Sequence, residues 1–380
     1  MDKAKNHNSN ADGLRGIACL IVFFSHLAYT FYPYMHAAEK PAFRFESFIM
    51  NSPFTFFYSG SAGVYVFFVL SGFVLSASFS RKFNAVYFST FLIKRYIRLM
   101  IPVFFSCIAG YLVFSNLHLN SEGISEWASQ LGTFDYSLAG AVYSGLIGAF
   151  KGEGLIVYNW VLWTMKIEIV GSYVLALFFI SPKSQSIMLL ALASLVFFVC
   201  GFNNGGDSFF YGLSCFMAGA VIYKSNLRLS NLASFIALVI GLYFAGYKVQ
   251  SSSYSIFFGD FNTYLTEYSL FLMSGILIVL SALKSSLLDK VLSSRLSIFL
   301  GKISFSLYLI QMLTIYIIAI PLYHVLSIKV DNLLSSLVAS VICIVISMPL
   351  SWLYYVLFDK TAVKLSNKTT VLIMPRKAIQ

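Results

Sequence analysis

Apolar segments of about 20 residues recur along the whole chain, and that recurrence restricts its folds more than any other feature. A bilayer core about 30 Å thick takes about 20 helical residues to cross at 1.5 Å each. Such segments fall at 14–32, 60–79, 96–114, 160–180, 186–201, 208–223, 231–247, 266–283, 298–323 and 333–358. Only 11% of the 380 residues are charged, against about 25% in soluble domains, so lipid solvates most of this chain. The expected fold is all-α, a polytopic membrane helix bundle of about ten transmembrane helices. Residues 136–150 are apolar but short and glycine-rich, and read as re-entrant or interfacial.

Charge sets the expected orientation. With the N-terminus inside, 20 of the 26 Lys and Arg residues fall on the inner side, among them Lys3, Lys5, Arg81, Lys82, Lys183, Arg376 and Lys377. Five fall outside, Lys166 lies within a span, and acids such as Asp260 gather on the outer side. Cytoplasmic flanks of membrane helices carry this excess of basic residues, so both termini are expected in the cytoplasm. The net charge of +11 is then topogenic. The inner loops are too short for a nucleic-acid-binding domain, and no nucleic acid partner is expected. The predicted organisation is one transmembrane domain over 1–358 and a short basic cytoplasmic tail over 359–380.

The first apolar stretch carries Arg15 and His26 and lacks a convincing small-residue cleavage site, so it reads as a span rather than a cleavable signal. All five cysteines sit in apolar segments without metal-ligand spacing, which points to neither a disulfide framework nor a metal site. No inverted repeat of the transporter kind is visible.

Ionisable side chains inside spans are expensive and are functional candidates by default. Arg15 and His26 are eleven residues apart, about three turns, which puts them on nearly one helix face about 16 Å apart along the axis. Glu168 lies about 12 Å below the start of the fourth span at Trp160, a depth that matches His26. A neutral histidine oriented by a carboxylate is a suitable general base; the alternative is an interhelical polar contact that only holds the bundle together. Arg95 and Arg98 share a face at the inner end of the third span and are shaped to grip phosphate bidentately. Read alone, that run is an ordinary basic anchor before it is a phosphate grip. Pro102 predicts a kink beyond it, and Lys166, about 160° from Glu168 around the helix, is read as structural. The long outer loop, about 115–159, contributes Trp127, Asp135, Tyr136, Tyr158 and Asn159; loops of this length are often functional.

Taken in order, these residues resemble acyltransferase family 3, the membrane-bound O-acyltransferases of bacterial surface glycans. The matching stretches are Asp12-Gly13-Leu14-Arg15-Gly16-Ile17-Ala18 with His26, then Gly63-Val64 and Phe67-Phe68-Val69-Leu70-Ser71-Gly72-Phe73. Lys94-Arg95-Tyr96-Ile97-Arg98 follows, then Trp163-Thr164-Met165-Lys166-Ile167-Glu168 and Gly301-Lys302-Ile303-Ser304-Phe305-Ser306-Leu307-Tyr308-Leu309. Two positions depart from the family pattern. Gln311 stands where a histidine is usual, keeping hydrogen bonding but not titration, and Asp359-Lys360-Thr361 replaces a usual Glu-Lys-Pro. No appended esterase-like domain is expected.

The resemblance implies a multi-pass protein of the bacterial plasma membrane. It implies acetyl-CoA as donor from the cytoplasm, with no metal, and as acceptor a hydroxyl of a surface or lipid-linked polysaccharide such as O-antigen. His26 and Glu168 are then the catalytic pair. Arg15, Arg95 and Arg98 contact the donor's phosphates, and Trp127, Asp135, Tyr158, Asn159 and Gln311 are candidate acceptor contacts; the alternative reading of the loop residues is an interfacial aromatic belt with ordinary loop polarity. Besides the lipid bilayer and the glycan, a homo-oligomeric partner is left open, as is the choice between direct transfer and an acyl-His26 intermediate. The rival is a proton-coupled exporter or flippase for a glycan precursor, with His26 and Glu168 relaying protons.

Overall fold

The computed structural model describes residues 2–80, 85–153, 156–181, 185–261 and 263–373. Arg81, Lys82, Lys183, Arg376 and Lys377 lie outside the described residues, as do the side chains of Lys3, Lys5 and Asp260. Every regular element among the described residues is helical, and each of the ten predicted segments forms a helix. The chain is an all-α, polytopic membrane protein.

The long helices are α1 (Asp2–Phe31), α2 (Gly60–Phe79), α3 (Ala85–Phe114), α4 (Trp163–Phe178), α5 (Ile187–Asn203), α6 (Ser208–Lys224), α7 (Asn231–Ala245) and α8 (Tyr264–Lys284). They are followed by α9 (Arg295–Thr314), α10 (Ile320–Ser327), α11 (Asn332–Tyr354) and α12 (Lys360–Ile373). A π-helical turn, Ile315–Ala319, joins α9 to α10, and another, Tyr355–Asp359, joins α11 to α12. Among the described residues, seven helical segments are long and apolar enough to cross a membrane, including Ser9–Phe31, Gly60–Phe79 and Arg295–Ser327. Ile187–Asn203, Asn231–Ala245 and Leu138–Lys151 are apolar but shorter.

Polar residues at the helix starts set these boundaries. The side chains of Ser186, Asp207, Ser230, Thr263 and Asp331 each accept a hydrogen bond from a backbone N–H in the first turn of α5, α6, α7, α8 and α11 respectively. Each answers one of the N–H groups that a helix start leaves without an internal acceptor. α3 runs unbroken through Pro102.

The described chain forms two compact units. One comprises Met1–Ser25, Ser47–Phe88 and Ile167–Lys302; the other comprises His26–Glu46, Ser89–Lys166 and Ile303–Gln380. In the first unit, α2 packs along α6 and α8. At Gly72 a Cβ would lie 2.1 Å from the carbonyl oxygen of Phe216, and at Gly219 the same distance from that of Val69. Two backbones in such contact leave no room for a side chain, which is why small residues mark helix seams in lipid. Hydroxyls stitch a second seam, Ser234 on α7 against Ser281 on α8 at 2.7 Å. In the second unit, Tyr354 on α11 donates to the carbonyl of Pro102 on α3 at 2.5 Å.

Candidate active site

His26 lies in the last two turns of α1, where Thr30 Oγ1 donates to its carbonyl at 2.8 Å. Its imidazole is stacked on the indole of Trp127, with centroids 5.8 Å apart and planes 11° apart. Tyr29, three residues along the same helix face, stacks on that indole too, at 4.7 Å and 8°. Trp160 meets Trp127 edge-on at 5.1 Å. From there ring contacts continue through Phe134 and Tyr136 to Tyr158.

Local structure explains how a loop residue reaches the end of α1. Ser125 N-caps the single turn Glu126–Ser129 by accepting from Ala128 N–H. Its own N–H donates to the carbonyl of Thr30 at 2.9 Å. Glu39 Oε1 accepts from the N–H of Glu126 at 2.8 Å. One hydrogen bond thus ties the turn that carries Trp127 to α1, and two more hold the start of that turn.

Two carboxamides in the same unit are buried and anchored on α9. Asn159, 1% exposed, donates through Nδ2 to the Leu309 carbonyl at 2.7 Å and to Ser106 Oγ at 3.2 Å. Gln311 is fully buried and donates through Nε2 to the Tyr308 carbonyl at 3.0 Å. Both amides therefore spend their N–H groups on consecutive carbonyls of α9 and leave their oxygens free. Asn159 Oδ1, Gln311 Oε1 and His26 Nδ1 are all buried with no hydrogen-bond partner among the described residues. Buried polar atoms are nearly always paired. These three are therefore candidates for contact with a ligand.

The other predicted residues fall as follows. Tyr158 is buried, its hydroxyl donating to the Ser137 carbonyl at 3.0 Å and accepting from the Ser137 N–H at 3.2 Å, so it braces the loop. Asp135 is exposed. Arg95 is half-buried and Arg98 exposed, both on α3. Ser106, which meets Asn159, is eleven residues beyond Arg95, about 16 Å along the helix. The Lys166 chain packs against Gly152, and its charge is felt by Glu153. Arg15 and Glu168 belong to the first unit: Arg15 pairs with Asp12 at 3.2 Å, and Glu168 Oε1 accepts from Ser71 Oγ at 2.9 Å. Sequence reasoning missed Tyr29, Trp160 and Ser106. Only Tyr29 carried a signal, its three-residue spacing from His26.

The family model described as an acyltransferase domain matches residues 8–356. Among curated proteins the chain is similar to the O-acetyltransferase PaAT-1 of Phomopsis amygdali. The two are 28% identical over 263 residues, covering 61% of this chain and 51% of that protein. The chain thus spans about half the length of that relative. No solved structure matches.

Proposed function

Because the chain belongs to acyltransferase family 3, we propose that it is a membrane O-acyltransferase that moves an acetyl group from acetyl-CoA to a hydroxyl of a surface or lipid-linked polysaccharide. The observation that carries this reading is His26, held against Trp127 with its Nδ1 buried and unpaired. A histidine whose ring is fixed by stacking, while its polar atoms remain uncommitted, is suited to proton transfer.

In the proposed reaction His26 takes the proton of the acceptor hydroxyl as its oxygen attacks the thioester carbonyl. The tetrahedral intermediate collapses by breaking the C–S bond, and the imidazolium returns the proton to the departing CoA thiolate. Asn159 Oδ1 is the buried acceptor available to orient the hydroxyl. Trp127, with Tyr29 and Trp160 around it, offers the apolar face on which a sugar ring stacks, and Asp135 and Tyr158 belong to the same outer loop. Arg95 and Arg98 hold the phosphates of the donor, and the extended pantetheine arm covers the helix length from Arg95 to the carboxamides. Arg15 and Glu168 enter on their motifs alone, as a further phosphate contact and as the carboxylate of the catalytic pair. The proposed setting is a bacterial plasma membrane, with the donor on the cytoplasmic side and the acceptor on the other.

The test is mass analysis of glycan from cells with and without the gene. One added acetyl per modified repeat, labile to mild base and restored by the wild-type gene, is the expected result. Unmodified glycan that instead fails to reach the cell surface would overturn the assignment and point to an exporter.

A further inference from the structure

We infer that a phospholipid with an amine in its headgroup binds in a cavity at the end of α8, its phosphate on Arg228 and Lys284 and its amine on Asp289. The site lies wholly within the first unit and does not depend on the acyltransferase reading.

The cavity has a volume of about 880 Å³. Its lining comes from the connection between α6 and α7, from the residues that follow α8, and from Asn10 of α1. Lys284, the last residue of α8, clasps that connection at both ends. Its Nζ donates to the Ser225 carbonyl at 2.7 Å, and its own carbonyl accepts from the Leu229 N–H at 2.9 Å. The segment between, which carries Arg228, is thereby held at the cavity. Arg228 makes no hydrogen bond or ion pair among the described residues, and the Lys284 ammonium still has N–H donors to give.

Asp289 opens the single turn Asp289–Leu292. Its Oδ1 accepts from Asn10 Nδ2 at 2.6 Å, and it has no ion-pair partner among the described residues. A carboxylate only accepts, so this bond fixes which way the Asn10 amide is turned. Asn10 is 3% exposed, and its Oδ1 is left buried without a partner among the described residues. The wall therefore offers uncommitted donors with positive charge and uncommitted acceptors with negative charge. A phosphate answers Arg228 and Lys284, and an ammonium answers Asp289 and the Asn10 oxygen.

The position selects a lipid over a soluble phosphate. Tyr264–Lys284 is long and apolar enough to cross a membrane, so its end lies at the level of the headgroups. Basic pockets between membrane helices at that level bind phosphate headgroups. An apolar track leads away from the cavity along α7, whose first residue, Asn231, accepts through Oδ1 from Ser286 Oγ at 3.3 Å. Leu232, Phe235, Ile236, Val239 and Ile240 are all exposed, and their spacing puts them on one helix face. Ser234 and Gly241 face α8 instead. From Leu232 to Ile240 the stripe runs about 12 Å, a bed for an acyl chain whose headgroup sits in the cavity. The bound headgroup also braces the start of α1. Gly13, three residues after Asn10, packs against the same turn as Asp289, where a Cβ would lie 2.0 Å from the Leu292 carbonyl oxygen.

The test is native mass spectrometry of the full-length protein, stripped of lipid in detergent. It is titrated with dioleoyl phosphatidylethanolamine, with the matching phosphatidylcholine, and with glycerophosphoethanolamine, which has the headgroup without chains. Phosphatidylethanolamine is expected to bind about 10-fold or more tighter than phosphatidylcholine, whose methylated amine has no N–H to donate. Arg228→Gln, a change in an exposed loop, should weaken phosphatidylethanolamine about 10-fold or more, the worth of one charge-assisted hydrogen bond. Asp289→Asn still accepts from Asn10 and should abolish the preference between the two lipids. Equal affinity for both lipids in the wild-type protein, or wild-type behaviour in both variants, overturns the inference. Glycerophosphoethanolamine bound as tightly as the whole lipid overturns the lipid assignment and makes a soluble aminophosphate the occupant.

Discussion

Replacing Trp127 by Ala separates the placement of His26 from its chemistry. The substitution removes three ring contacts at once: His26 at 5.8 Å, Tyr29 at 4.7 Å and Trp160 at 5.1 Å. Each such pair contributes about 0.5–1.5 kcal/mol beyond simple burial. Only the first bears on catalytic geometry. Its loss, at about 1.4 kcal/mol per decade of rate, corresponds to roughly a 2- to 13-fold fall in kcat. Removing the proposed base itself should cost about 100- to 10,000-fold, so the two variants fall in ranges that do not overlap. Trp127→Phe keeps a stacking face and should remain within about threefold of wild type by the same reckoning. The assay is steady-state acetyl transfer in membranes at equal protein abundance, with glycan concentration varied. A rise in KM for glycan accompanying the fall in kcat would place the acceptor on the indole. Unchanged kcat in Trp127→Ala would refute the claim that this stack positions the histidine.

Three other outcomes follow from the same structure. Gly72→Ala puts a carbon 2.1 Å from the Phe216 carbonyl oxygen, and overpacking of this kind costs about 1–3 kcal/mol. A lowered unfolding midpoint in detergent is expected, and an unchanged one would contradict the α2–α6 seam. Arg95→Ala and Arg98→Ala should each raise KM for acetyl-CoA about 10- to 150-fold, the equivalent of one charge-assisted hydrogen bond worth about 1.5–3 kcal/mol. Lys at either position should restore only part of the affinity, because it cannot reproduce the bidentate fork. An intact KM would return both to the role of membrane anchors. Lys248 and Glu267 pair at 3.3 Å with side chains 13% and 12% exposed. Lys248→Met should therefore destabilise more than the double variant Lys248→Met/Glu267→Leu, since the single change strands a mostly buried carboxylate. Equal midpoints for the two would show that the pair is solvated.

The helices were largely legible because apolar runs of the right length announce them. The second run, 60–79, coincides with α2. The misjudged ends have a common cause. α3 begins at Ala85, eleven residues before the predicted start. Its first turns carry Lys94, Arg95 and Arg98, and charge reads as loop when hydropathy alone is weighed. α12 continues past the predicted end for the same reason, with Lys360, Lys364 and Lys368 spaced four apart on a helix whose Ala362 and Ser366 are buried.

The site was legible only in part. His26 stood out because a span should not contain it, and Trp127 because its loop was long. That these two stack is invisible to periodicity, which relates a residue only to its near neighbours in the chain. Gln311 reads from the sequence as an acceptor contact standing in for a histidine; that its carboxamide is buried and anchored on the Tyr308 carbonyl is not visible there. Tyr158, also expected at the acceptor, spends its hydroxyl on the Ser137 backbone, a commitment no sequence pattern encodes.

The most direct test of the central claim is transfer of label from radioactive acetyl-CoA in membranes carrying the wild-type protein or His26→Ala, with native glycan present. The account predicts labelled glycan from the wild-type membranes and background from the variant at equal abundance. Equal labelling of glycan by the two would contradict it, because no acetyl transfer by this protein should survive the loss of His26.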